Sequence, residues 1–256
     1  MLTVPGQTTH PRMLRAQTIV KRTKDGLRTF MGGSANSEMA TEQEAGLRAC
    51  MDDLVKALQG LVGSGLDEPL HQEVSEMLMN ELSPYLGRVP LMAALSANEG
   101  GKVVGEKVFA AWSDPMQDKS PVALLDHWLR DQPSMNALSA VPNACIEATG
   151  RLADEAVDGP IWMLGADHPA VALGMQGAGR VRKVVRVDWN PMQPLPAIEE
   201  APAIVAIPAL LEGIPDRHAI RMLSGLRSAL KPGGRLVASA LVPSPDAPFT
   251  ELVLGW

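Results

Sequence analysis

The chain has 256 residues, 46% hydrophobic and 20% charged, a balance that supports a packed core and excludes wholesale disorder or a fibre. Its 23 basic and 29 acidic side chains leave a formal charge of -6, which argues against a domain that wraps nucleic acid as a whole. Only two cysteines are present, Cys50 and Cys145, far apart and without ligand-type neighbours, which argues against a disulfide framework or a structural zinc site.

The first segment, residues 1–37, stands apart. Arg12, Arg15, Lys21, Arg22, Lys24 and Arg28 face a single acid, Asp25. The composition predicts a basic, flexible arm that is solvated or packs along an edge, with organelle targeting as the other reading. Gly32-Gly33-Ser34 closes it as a hinge.

Residues 38–158 carry helical periodicity. Leu47, Met51, Leu54, Val55, Leu58, Leu61 and Val62 recur at three- and four-residue steps, a stripe on one helix face that stops at Gly63-Ser64-Gly65. Leu70, Val74, Met77, Leu78 and Leu82 make a second stripe, which Pro84 and Gly87 are expected to end. A short element follows Pro90, another spans Val103 to Trp112, and Asp114-Pro115 breaks the chain. Ser120-Pro121 reads as an N-cap followed by proline at the first helical position. A last helix from Ser134 to Val157 is expected to kink at Pro142. These helices read as a lid or a surface for homo-oligomerisation.

The texture changes at Gly159-Pro160, where residues 159–256 begin. Ile161 to Leu164, Val184 to Val187, Ala203 to Ile207 and Arg235 to Val242 are short apolar or β-branched runs bounded by turns. Helical stretches are expected between them, Pro169 to Met175 and Asp216 to Leu230. Alternation of strand and helix predicts an α/β fold with a parallel sheet, preceded by the helical half. No apolar stretch nears the ~20 residues that cross a bilayer, and the reading is a cytoplasmic protein without a membrane partner.

In such a sheet, ligands bind beyond the carboxyl ends of the strands. Those ends are marked by Gly165-Ala166-Asp167, by Asp188-Trp189-Asn190-Pro191 and by Pro208 to Glu212. A carboxylate ending the second strand can accept two hydrogen bonds from the vicinal hydroxyls of a ribose. Asp188 follows Gly165 by 23 positions, close to the ~20 between a nucleotide-binding glycine turn and its ribose acid. An N-capping role for Asp188 is the alternative.

Here the second half resembles class I S-adenosylmethionine-dependent methyltransferases. Ile161 to Gly165 matches their first strand and glycine turn, and Val187-Asp188-Trp189-Asn190-Pro191 their second-strand signature. Ile214-Pro215-Asp216, the helix after it and Leu230-Lys231-Pro232-Gly233-Gly234 are similar to their fourth-strand exit, helix and turn. More faintly, Leu125-Asp126-His127-Trp128-Leu129 with Asp131-Gln132-Pro133 resembles the lead-in to the methyltransferase domains of polyketide synthases. The resemblance implies a truncated Rossmann-like sheet and S-adenosylmethionine held by Gly165, Asp167, Asp188 and Trp189. It also implies a small-molecule or natural-product acceptor.

The departures are specific. Met163 stands where the family carries an acid, and Asp167 and Pro169 replace the second and third glycines of the turn. Those glycines allow close backbone approach to the ligand. Asp188 to Ile204 spans 16 positions, enough for one crossover of about 10–12 residues and not for a further strand as well. The family's third strand is therefore expected to be missing. Glu212 stands where the polyketide enzymes have a histidine, and Ala240 where their partner acid falls. His168, Glu212 and His218 are the candidate bases that are left. A pseudo-methyltransferase that serves as a structural or regulatory subunit for a protein partner is the alternative to an active enzyme.

Overall fold

Proline is the first residue of four of the described helices, at Pro11, Pro90, Pro121 and Pro133, and the second residue of two more, at Pro69 and Pro248. The first helical position needs no N–H donor, and the fixed φ of proline suits it. The computed structural model describes residues 10–31, 37–96, 106–164, 182–187, 189, 193–195, 199–207, 211, 214, 216–240 and 242–254. Two units divide the chain. One holds Met1–Ser96, Pro115–Pro133 and Pro243–Trp256, and the other Ala97–Asp114 and Ser134–Val242.

The first unit is helical. It contains α1 (Pro11–Met31), α2 (Ser37–Val62), α3 (Glu68–Leu86), α4 (Pro90–Ser96), α6 (Pro121–Arg130) and α9 (Ala247–Leu254), while α5 (Glu106–Ser113) and nearly all of α7 (Pro133–Ala153) fall in the other unit. The stripe predicted on α2 is buried from Leu47 to Leu61, and Val62 at its end is half-buried. Ser120 caps α6 as expected, its Oγ accepting from the N–H of Ala123 at 3.2 Å. Asp67 caps α3 in the same way, at 3.1 Å from the N–H of Leu70. Pro84 does not end α3, which continues to Leu86. Proline removes the bond that the carbonyl of Asn80 would accept, and the hydroxyl of Ser83 donates to that carbonyl instead.

Two expectations change here. Most of the segment read as a flexible arm is a 21-residue helix, α1, that packs on α2 and α3. It buries Met13, Ala16, Val20, Thr23 and Leu27, a stripe at steps of three and four, and turns its basic residues to the other faces. Arg22 pairs with Asp53 at 2.6 Å, Lys24 with Glu81, and Arg28 donates to the Tyr85 hydroxyl at 3.0 Å. Residues near the C-terminus also depart from the α/β half. Helix α9 packs on α2 and α3, with the Ser75 hydroxyl donating to the carbonyl of Leu252 at 3.1 Å.

Trp128 and Phe249 close this core. Both are fully buried, and their rings meet edge to face with centroids 5.3 Å apart. The Trp128 indole donates to Asp52 Oδ1 at 2.9 Å, so its one polar atom is satisfied. Asp126 is also fully buried. It accepts from Arg130 Nε at 2.6 Å and from Arg130 Nη2 at 3.3 Å, and the N–H of Met116 points to the same carboxylate at 3.4 Å.

The second unit carries a parallel sheet of β1 (Ile161–Leu164), β2 (Val184–Val187), β3 (Ile204–Ile207) and β4 (Arg235–Ala238), in the order β2-β1-β3-β4. The fold is thus α/β, as the alternation predicted. The central strands β1 and β3 are buried at every residue, and the edge strands β2 and β4 are partly exposed. Trp162, Leu164, Val205 and Ile207 alternate along their strands onto one face. There they form a cluster with Ile214 and with Met222 and Leu226 of α8 (Asp216–Ala229).

The Pro232-Gly233-Gly234 turn has a backbone reason. Gly233 has φ +82°, a conformation that favours glycine. A Cβ on Gly234 would lie 2.9 Å from the carbonyl oxygen of Lys231 and 3.0 Å from that of Ala203. Only a glycine lets the chain pass that close as it enters β4.

Candidate functional site

The carboxyl ends of the strands are where the sequence places the site. β1 ends at Leu164 and β2 at Val187, and these two residues are register partners. From β1 the chain moves to β2 on one side, and β3 lies on the other side of β1. The strand order therefore reverses beside β1, the position where open α/β sheets bind ligands. Gly165, Asp167, His168, Asp188 and Glu212 lie outside the described residues, as does the expected helix from Pro169 to Met175. The paired strand ends Leu164 and Val187 lead directly into Gly165 and Asp188.

Trp189 is described, and it is partly spoken for. Its indole N–H is shared between the carbonyls of Gln193 at 3.2 Å and Pro194 at 3.0 Å. Its ring packs against the Trp162–Val205–Met222 cluster. Leu195 joins the same cluster, and a Cβ on Gly225 of α8 would sit 3.0 Å from Leu195 Cδ1. Trp189 and Leu195, both from the connection between β2 and β3, thus pack against the cluster that α8 completes. Sequence reasoning gave Trp189 a cofactor role. Its signal for packing was the same ring, whose large apolar area favours burial wherever a core is adjacent.

His218 lies in the first turn of α8 and is half-buried. Its Nδ1 is buried and has no hydrogen-bond partner among the described residues. Asp216, exposed, opens the same helix. Beside the amino ends of the strands, two cations tie loops to the sheet. Arg182 donates to the carbonyls of Ala156 at 2.8 Å and Val157 at 2.6 Å, and Lys231 Nζ donates to that of Asp158 at 2.9 Å. These contacts tie together the segments that precede β1, β2 and β4.

Among the described residues, no group of three or more His, Cys, Asp and Glu is placed to hold a metal ion. None of their helices is long and apolar enough to cross a membrane. Compared with known proteins, the chain matches no family model, no curated protein and no solved structure.

Proposed function

We propose that the sheet-bearing unit is a shortened methyltransferase-like domain that takes S-adenosylmethionine at the carboxyl ends of β1 and β2 and methylates a small molecule. The observation that carries this reading is the strand order. A doubly wound sheet runs 3-2-1-4-5-6. Removing its two outermost strands, the third at one edge and the sixth at the other, leaves 2-1-4-5, which in chain order is the parallel β2-β1-β3-β4 arrangement. The short interval between Asp188 and Ile204 is where the third strand would have stood.

In this reading the Asp188 carboxylate accepts from the ribose hydroxyls and the Gly165 backbone approaches the donor. Asp167 lies in the same turn, and the ring face of Trp189 borders the pocket while its N–H stays with the Gln193 and Pro194 carbonyls. Bound S-adenosylmethionine would supply the electrophilic methyl group. The protein's share is to hold donor and acceptor in line, which lowers the barrier chiefly through proximity. His168, Glu212 and His218 are the candidates to take up a proton from the acceptor.

A second reading, a pseudo-methyltransferase that serves as a structural or regulatory subunit, is favoured by the way Trp189 and Leu195 fill space beside α8. Isothermal titration of the full chain with S-adenosylmethionine separates the two. Saturable one-to-one binding that weakens at least tenfold in Asp188→Asn supports the enzyme. No heat at millimolar ligand supports the subunit.

A further inference from the structure

The valley between α1 and α2 has no role in the reading above. The two helices run antiparallel, with Arg12 beside Ser64, Arg22 beside Asp53, Gly26 beside Cys50 and Phe30 beside Gly46. Their close approach depends on glycine. A Cβ on Gly26 would meet Cys50 Sγ at 2.6 Å, and one on Gly46 would meet the Phe30 ring at 2.5 Å. Along the rest of the valley α2 presents Ala49 and Ala57, too short to fill it. A groove of about 550 Å³ results, floored by Ile19 and Leu54 and bounded at one end by Phe30. That volume lies within the ~300–1,000 Å³ of small-molecule sites. From Arg15 to Phe30 the groove is about 22 Å long, at ~1.5 Å of rise per residue.

The charges on the rim are unequal. Arg22 and Asp53 pair across the valley at 2.6 Å, a strap of two exposed side chains. Pairs this exposed hold weakly and open readily. Arg15, at the end away from Phe30, has no carboxylate partner among the described residues, and its guanidinium lies over Gly60, Nη2 being 3.0 Å from where a Cβ would stand. Arg12 adds a second cation at that end, donating to the Ser64 carbonyl. Burial pushes the Cys50 thiol up from its ordinary range, so the floor carries no thiolate at neutral pH.

We propose that this groove binds an anionic single-chain amphiphile of the fatty-acid type, its carboxylate on Arg15 and its chain along Ile19, Leu54 and the alanines toward Phe30. The groove is long, narrow and apolar, which fits an acyl chain. The uncommitted guanidinium at one end gives a carboxylate its fork-shaped partner. An uncharged chain would leave that guanidinium unused, and a cationic one would be repelled by it.

The test is calorimetry of the full chain with dodecanoate, dodecanol and dodecyltrimethylammonium, each below its micellar range. Dodecanoate is expected to bind once per chain, at least tenfold more tightly than either control. Ala57→Leu, which fills the floor from a half-buried position, should remove binding while the circular dichroism stays that of the parent. Arg15→Gln should weaken dodecanoate about tenfold and leave dodecanol unchanged, and Asp53→Asn, which frees Arg22, should tighten it severalfold. Equal affinity for the three probes, or dodecanoate binding untouched by Ala57→Leu, would overturn the proposal. So would a concentration-dependent dimer in sedimentation that Ala57→Leu dissociates, since a second copy would then be the occupant.

Discussion

The two units solve the same problem with different materials. The helical unit is assembled from distant parts of the sequence, and its centre joins Asp52, Trp128 and Phe249. The sheet unit is built from four strands of four residues each, and its central pair is simply apolar at every position. One core depends on a few large side chains with satisfied polar atoms. The other depends on two unbroken apolar runs, Ile161-Trp162-Met163-Leu164 and Ile204-Val205-Ala206-Ile207. A single substitution should therefore act more severely in the first than in the second.

Trp128→Ala is the largest expected effect, a loss of about 3–5 kcal/mol in urea unfolding, since it leaves a large cavity where the fully buried ring stood. Hydrogen exchange on the variant should show protection lost in α2, α6 and α9 peptides and kept in β1 and β3. Equal loss in both sets would erase the distinction. Asp126→Ala should cost nearly as much, about 3 kcal/mol or more, because the largely buried Arg130 loses the carboxylate to which it donates twice. If denaturant midpoints show under 1 kcal/mol, the pair is dispensable.

In the sheet, Ile207→Ala should cost about 2–4 kcal/mol, with protection lost in the strands and α8. Gly233→Ala comes next. It forces a side chain into φ +82°, for about 1 kcal/mol.

The smallest effect concerns the thiol of Cys50, held protonated by burial. Its folded pKa is raised, so any stability tied to the neutral thiol is present at low and neutral pH and fades as pH climbs through the shifted value. Labelling by a disulfide reagent at pH 8 should be slower than for an unfolded control and should accelerate toward alkaline pH. Labelling as fast as the control would mean that the α1–α2 valley does not shelter it.

How much of this was legible follows from the same contrast. The strands were read from short runs such as Ile161 to Leu164, because a buried parallel strand advertises itself as unbroken apolar sequence. The α2 stripe and the Ser120-Pro121 cap were local patterns and equally plain. Helix α1 was not, since its six cations drew attention from a stripe in which Ala16 and Thr23 are weakly apolar. Helix α9 was missed for a related reason: it has eight residues, among prolines, and its place is set by long-range contacts, Ser75 with Leu252, Phe249 with Trp128, and Gln59 with Pro245 just before it. In the candidate site, the order Gly165 then Asp188 was a motif that sequence can carry. That Leu164 and Val187 pair in register, or that the Trp189 ring turns to the α8 core, is decided by tertiary contacts that no spacing encodes.

Hydrogen exchange of the full chain with and without S-adenosylmethionine bears most directly on the central claim, that the strand-order reversal beside β1 is a donor site. Added protection confined to peptides ending β1 and β2, between residues 161 and 190, is the expected result. Exchange unchanged along the whole chain at saturating ligand would contradict it.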